Sequence, residues 1–205
     1  MYSTTQEQFW AKTYGDEYTK RNMDSRLIVN NVAFFLRILR RTGPLKSVIE
    51  LGANIGFCLR ALRSLLPDTE LSALEINESA ADVLESWGEV TRVYRQSLLE
   101  FEPNRCWDLA FTKGVLIHIN PEKLSVAYDK LYASSGKYVL VAEYYNPKPV
   151  TIPHQGHTDT LFKRDFAGEL LDRFSDLRLI DYGFVYRRDP VFPQDDVSWF
   201  LMEKR

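Results

Sequence analysis

The stretch Val48-Ile49-Glu50-Leu51-Gly52-Ala53-Asn54-Ile55-Gly56, VIELGANIG, decides how the chain is read. An apolar run stops at a carboxylate, and two glycines follow four positions apart. This is the pattern of a short buried strand that turns sharply into a helix. Gly52 gives the backbone freedom to turn, and Gly56 is expected to let the next helix pack close to the strand. A helix starting there offers free N–H groups and a partial positive charge to an anionic ligand group. The loop lacks the full G-x-G-x-x-G of a dinucleotide site, and no G-K-[ST] follows, which disfavours a P-loop.

The flanking sequence repeats the strand and helix alternation. Residues 26–41 place Leu27, Val32, Phe35 and Leu36 near helical spacing and end at Thr42-Gly43-Pro44, a stop signal. Downstream, FCLRALRSLLP reads as a helix, LSALEIN as a strand, ESAADVLESWG as a helix and VTRVYRQ as a strand. WDLAFTKG is again a strand, PEKLSVAYDKLYASS a helix with Pro121 in its first turn, and KYVLVAEYY a strand. The order predicts an α/β fold, a Rossmann-like doubly wound sheet that is mostly parallel. After helix FAGELLDRF, the runs LRLIDYGFVYRR and VSWFLMEK are joined by DPVFPQDD without a helix, so they should form a C-terminal antiparallel β-hairpin. Residues 4–22 are polar with interleaved aromatics, suggesting one or two short helices lying over something. Residues 146–165 have neither period and read as a long loop, which in compact domains is usually functional.

Composition sets the outer limits. The 205 residues suit one domain, with a 45% hydrophobic fraction sufficient for a core. A formal charge of −2 gives no basic footprint, so nucleic acid is an unfavoured partner. Cys58 and Cys106 fit no metal spacing and are expected to be buried thiols in a reducing cytoplasm. No secretory leader and no apolar run of about 20 residues is present, so a soluble cytoplasmic protein without membrane partners is expected.

In a sheet of this kind, ligands bind beyond the carboxyl ends of the strands where strand order reverses. Glu75 closes LSALE, 25 residues after Glu50, at the end of the second strand. An acid there can accept hydrogen bonds from both ribose hydroxyls of an adenosine ligand. The paired acids and the glycine loop favour a nucleoside site.

ELGANIG, LEIN, WDLAFTKGVLIHINP and the terminal hairpin together resemble a class I S-adenosylmethionine-dependent methyltransferase over about residues 27–205. EQFWAKTYGDEYTKRN, GVLIHINPEKL and the C-terminal run from HTDTLFKRDF further resemble the small methylases associated with pseudaminic acid biosynthesis, which implies a small-molecule substrate. The resemblance implies S-adenosylmethionine as cofactor, with Glu50, Gly52, Ala53, Asn54 and Gly56 around its methionine part. It puts Glu75 on the ribose and Ile76 on the adenine, with Ser97 and Leu98 at the adenine edge. Many relatives carry Asp at the Ser97 position, and a hydroxyl is a weaker partner. Thr112, Lys113 and Gly114 would floor the pocket, and Tyr18, Arg21 and Asn22 would belong to an N-terminal lid segment over residues 1–25.

The acceptor side rests on residue chemistry. Alignment by the protein carries most of a methyl transfer, but an oxygen or nitrogen nucleophile often needs a base, for which histidine suits. His118, just after the fourth strand, is a candidate, as are His157 and Tyr145; the alternative for His118 is a structural histidine. His154 and His157 lie in the 146–164 insertion, whose two-residue gap and lack of further ligands disfavour a metal. His154, Lys163 and Arg164, with Tyr144 and Asn146, are candidate substrate contacts. Together with Arg187 and Arg188 these cations suggest an anionic substrate, a solvated charged surface being the other reading. Two further functions stay open: attack at the aminocarboxypropyl carbon with release of methylthioadenosine, and a non-catalytic nucleoside-binding module.

Overall fold

The computed structural model describes residues 3–12, 14–17, 24, 26–154 and 157–205, with only the backbone of 154 and 157–160. Helix α1 (Thr5–Ala11) opens the described chain. It starts with a reciprocal cap, in which Thr4 Oγ1 accepts the Glu7 N–H at 3.1 Å and Glu7 Oε2 accepts the Thr4 N–H at 2.9 Å. One further helical turn covers 14–17. Helix α2 (Arg26–Leu39) leads to β1 (Ser47–Leu51), which is buried at every position. Then come α3 (Phe57–Leu65), β2 (Glu70–Glu75), α4 (Glu78–Trp87), β3 (Arg92–Arg95) and β4 (Trp107–Lys113). A short 3₁₀ turn at Leu116–His118 precedes α5 (Leu124–Ser134) and β5 (Ser135–Glu143). The chain ends with β6 (Val150–His154), β7 (His157–Lys163), α6 (Phe166–Arg173), β8 (Leu177–Val185) and β9 (Val197–Lys204).

Seven strands form one sheet in the order β3-β2-β1-β4-β5-β9-β8. The first five are parallel, and β9 runs antiparallel between β5 and β8, as the missing crossover helix predicts. Neighbouring residues of β1 face opposite layers. Val48 packs with Phe34, Phe35 and Ile38 of α2 and Leu59 and Leu62 of α3, whereas Ile49 joins Leu124, Tyr128 and Leu131 of α5 and Leu170 of α6. Strand order reverses between β1 and β4, so a crevice opens where the Glu50-Leu51-Gly52 turn meets Lys113-Gly114.

Two expectations are corrected. The 146–165 segment is not a structureless loop, because β6 and β7 pair antiparallel as a separate two-stranded sheet, with Thr151 opposite Phe162 and Ile152 opposite Leu161. Its alternation is broken in sequence by Pro153, which lacks an N–H and stands where the register shifts between Ile152 and His154. Burial of Leu161 and Phe162 holds the hairpin to the body. Cys58 is buried as expected, but Cys106 is exposed, just before β4 at the amino-end side of the sheet.

Candidate functional site

The turn after β1 is built as the glycines require. Gly52 has φ 86°, and its N–H and that of Ala53 both donate to Leu74 O on β2, at 2.8 and 3.0 Å. A Cβ on Gly52 would stand 2.6 Å from Val115 Cγ2, so a side chain here would close the gap between the two loops. Gly56, at φ 81°, is required by a different neighbour from the one expected. Its missing Cβ makes room for Leu84 of α4, not for the preceding strand.

Glu75 sits at the β2 tip and braces this turn. Its Oε2 accepts the Asn54 N–H at 2.6 Å and its Oε1 accepts the Asn77 N–H at 2.8 Å. Burial raises its pKa, and those N–H groups oppose the shift. The Ile76 N–H also bonds this carboxylate, which lies at the edge of a cavity of about 160 Å³, also lined by Ile76, Ser97, Leu98, Gly114 and His118.

The N-terminal helix roofs this cavity. Glu7, Trp10 and Gly15 line it. Glu7 Oε1 accepts a hydrogen bond from the Ser97 hydroxyl, while Oε2 accepts from Ser3 and Thr4. Burial works to raise the Glu7 pKa, but the hydrogen bonds from Ser3, Ser97 and Thr4 outweigh it and hold the carboxyl below its usual value. An acid therefore does stand beside Ser97, just after the third strand, and it comes from ninety residues away in sequence. Sequence reading missed it, although the T-x-x-E cap was a local signal of where the helix starts. Asn77 latches the roof from below, its Nδ2 donating to Asp16 Oδ1 at 2.9 Å. The Trp10 ring lies 4.5 Å from that of His118.

The opposite wall hangs on Glu143, which closes an apolar strand in YVLVAE as Glu50 and Glu75 close theirs, a signal that sequence reading passed over. At the end of β5, its Oε1 accepts the N–H groups of Val115 and Leu116, both at 3.1 Å, and Oε2 that of Ile117 at 3.4 Å. It thereby fixes the turn that carries His118. Burial pushes its pKa up to about 7.

A second cavity, of about 390 Å³, adjoins the first at Gly52, Asn54 and Lys113. Ala53 and Glu50 line it as well. Glu50 is buried, and its Oε2 has no hydrogen-bond partner among the described residues. Burial pushes its pKa up to about 8, against a hydrogen bond from Cys58 and the charge of Lys113.

Other candidates lie elsewhere. Thr112 is fully buried inside the sheet and lines neither cavity. Tyr144, Tyr145, Asn146, Lys163 and Arg164 line neither cavity. The Lys163 ammonium lies 5.1 Å from the Tyr144 ring centre, Tyr145 is exposed beside Phe200, and Asn146 Nδ2 donates to Lys148 O at 2.6 Å. Arg164 is ion-paired to Glu169 at 2.6 Å, which also accepts from Tyr128. Tyr18, Arg21 and Asn22 fall outside the described residues, as do the side chains of His154 and His157. Among the described residues no group of three or more His, Cys, Asp or Glu could hold a metal ion. None of their helices is long and apolar enough to cross a membrane.

Solved structures share this architecture. Magnesium protoporphyrin IX methyltransferase from Synechocystis PCC 6803, solved with SAM bound, is 12% identical with a TM-score of 0.69 and covers 100% of both chains. The fold is that of the methyltransferases. The 1,6-didemethyltoxoflavin N1-methyltransferase from Burkholderia thailandensis, with S-adenosylhomocysteine bound, is 15% identical, TM-score 0.68, over 97% of this chain and 86% of that one. A sugar N-methyltransferase from Streptoalloteichus sp ATCC 53650 is 13% identical, TM-score 0.67, over 100% and 96%. No family model and no curated protein matches the sequence. Within the methyltransferase fold, the crevice at the β1 and β4 tips is where both cavities of this chain open.

Proposed function

We propose that the chain is an S-adenosylmethionine-dependent methyltransferase acting on an oxygen or nitrogen of a small, negatively charged molecule. The observation that carries this reading is Glu75, a buried acid at the β2 tip that lines the cavity beside the glycine turn. Related folds solved with S-adenosylmethionine or S-adenosylhomocysteine support it. The residues present fit the cofactor: Gly52 lacks the Cβ that would close the crevice, and Glu50 Oε2 is a buried polar atom without a partner among the described residues.

When bound, the cofactor supplies an electrophilic methyl group on a sulfonium. Glu75 would take the ribose hydroxyls, and Ile76 and Leu98 would cover the adenine. Ser97 and Glu7 would meet the adenine edge as one hydrogen-bonded pair. Glu50, Gly52, Ala53, Asn54 and Lys113 would hold the methionine end. Glu7, Trp10 and the rest of the roof would exclude water from the crevice. His118 lines the first cavity and is set by the turn that Glu143 caps; it is the candidate to take a proton from an acceptor whose reacting atom reaches that cavity past Gly52 and Lys113, which line both cavities. The narrower resemblance to methylases associated with pseudaminic acid biosynthesis would make that acceptor a sugar acid, and the neighbours that methylate a sugar and a toxoflavin precursor support a small acceptor.

The test is incubation with S-adenosylmethionine and a metabolite extract, followed by mass spectrometry. S-adenosylhomocysteine with a new methylated product supports the reading. Methylthioadenosine instead would assign attack to the aminocarboxypropyl carbon, and binding without turnover would make the chain a nucleoside-binding module.

A further inference from the structure

The second cavity has two walls of different origin. The inner wall is the glycine turn with Glu50 and Lys113, given above to the cofactor. The outer wall comes from α2 and the loop joining β8 to β9, and contributes Asn31, Arg187, Gln194 and Asp195. These two elements are tied to each other. Asn30 Nδ2 donates to Pro193 O at 2.6 Å, and Gln194 Nε2 donates to Asn30 O at 2.7 Å.

That clamp leaves two acceptors unused. Asn31 is only 5% exposed, and its Oδ1 has no hydrogen-bond partner among the described residues. Gln194 Oε1, on the far side of the amide that the clamp consumes, has none either. A buried acceptor without a donor is costly, and both residues line the cavity, so a ligand that turns these amides toward it and supplies donors relieves that cost. Beside them Arg187 is loosely held, its Nε 3.5 Å from Asp196 Oδ2 and its side chain 66% exposed. Its guanidinium has donors to spare for a carboxylate. Asp195 on the same wall disfavours a polyanion.

We infer that this outer wall is the methyl-acceptor site, and that it takes a small monocarboxylate bearing hydroxyl or amine groups. The hydroxyl or amine donors satisfy Asn31 and Gln194, and the carboxylate meets Arg187. This rests on the methyltransferase reading, because it assigns the inner wall to the cofactor. An apolar aromatic acceptor would bury both amide oxygens without partners.

The test uses the full chain saturated with S-adenosylhomocysteine and titrated with gluconate, galacturonate and glucosaminate. Hexanoate serves as charge without donors, and sorbitol as donors without charge. Side-chain amide resonances of Asn31 and Gln194, assigned with N31L and Q194L, report the contact. At least one hydroxylated carboxylate is expected to bind about tenfold more tightly than either control and to move both resonances. R187A, a substitution at an exposed position, is expected to weaken that binding about tenfold while leaving S-adenosylhomocysteine affinity within about threefold. Equal binding by hexanoate or sorbitol, unmoved resonances, an indifferent R187A, displacement of S-adenosylhomocysteine by the sugar acid, or no binding by any of the five overturns the assignment. Failure of S-adenosylhomocysteine itself to bind is a separate result that defeats the methyltransferase reading, and this inference with it.

Discussion

Glu75 carries two loads, and they separate by substitution. Its carboxylate accepts the N–H groups of Asn54 and Asn77, so it shapes the turn before any ligand arrives. Glu75→Ala should weaken S-adenosylhomocysteine binding by roughly 1–3 kcal/mol in calorimetry and also lower the melting temperature of the free protein. An unchanged dissociation constant would remove Glu75 from the ribose. Glu7 gives a second case. If the Glu7–Ser97 pair forms the adenine edge, Glu7→Ala and Ser97→Ala should each weaken the same ligand about 3- to 30-fold, and the double variant should cost less than their sum, since residues in one hydrogen-bonded pair couple by about 0.5–3 kcal/mol. Additive losses would mean the two act separately. The difference in legibility between the two acids is physical. Glu50 and Glu75 stand out because each ends an apolar strand, a contrast visible within seven residues. Glu7 does not, because a capping box explains it locally and its contact with Ser97 exists only once the chain has closed on itself.

Elements were legible wherever hydrophobic periodicity was strong. The helices flanking β1 and the buried strands follow from their patterns, and the lack of a helix between β8 and β9 implies their antiparallel pairing. That β9 inserts beside β5, leaving β8 at the edge, is a fact of sheet assembly that no local pattern encodes. The β6–β7 hairpin escaped because Pro153 and the polar residues of 157–160 break the alternation that normally marks a strand. The latch between roof and sheet belongs to this scale as well. Asn77 caps α4, its Oδ1 accepting the Ala80 N–H at 2.9 Å, while its Nδ2 reaches Asp16. Asn77→Ala should therefore cost about 1 kcal/mol in urea unfolding through the lost cap. It should also speed proteolytic cleavage around α1. Asn77→Asp keeps the cap acceptor but sets a carboxylate against Asp16, so it should release the roof while retaining most of the stability. Wild-type protease resistance in both variants would show that the Asn77–Asp16 contact does not hold the roof.

At the scale of the molecule, three buried carboxyls at strand tips give folding a pH dependence. Burial drives Glu50 to about 8 and Glu143 to about 7, and it raises Glu75, all from an ordinary value of 4.5. In the unfolded chain these groups release their protons near that ordinary value, whereas the folded protein keeps them until its own higher values are passed. Between those limits the unfolded state binds fewer protons, so the stability of the free protein should fall as pH rises from about 5 to about 8 and then level off. The carboxyls held below their usual values, Glu7, Asp24, Glu85 and Asp189, act in the opposite sense, but they titrate at lower pH and leave this window clear. Urea unfolding at pH 5.5 and 8.5 should differ by on the order of 5 kcal/mol, the lower pH being the more stable. Glu50→Gln removes the group with the highest of these values while nearly preserving its shape. It should stabilise the free protein at pH 8.5, flatten the slope above pH 7, and weaken S-adenosylhomocysteine binding if Glu50 accepts from the methionine end. A variant with the wild-type slope would mean that Glu50 ionises without cost, reached by water or by an ammonium group, and the orphaned acceptor in the crevice would lose its claim on a ligand.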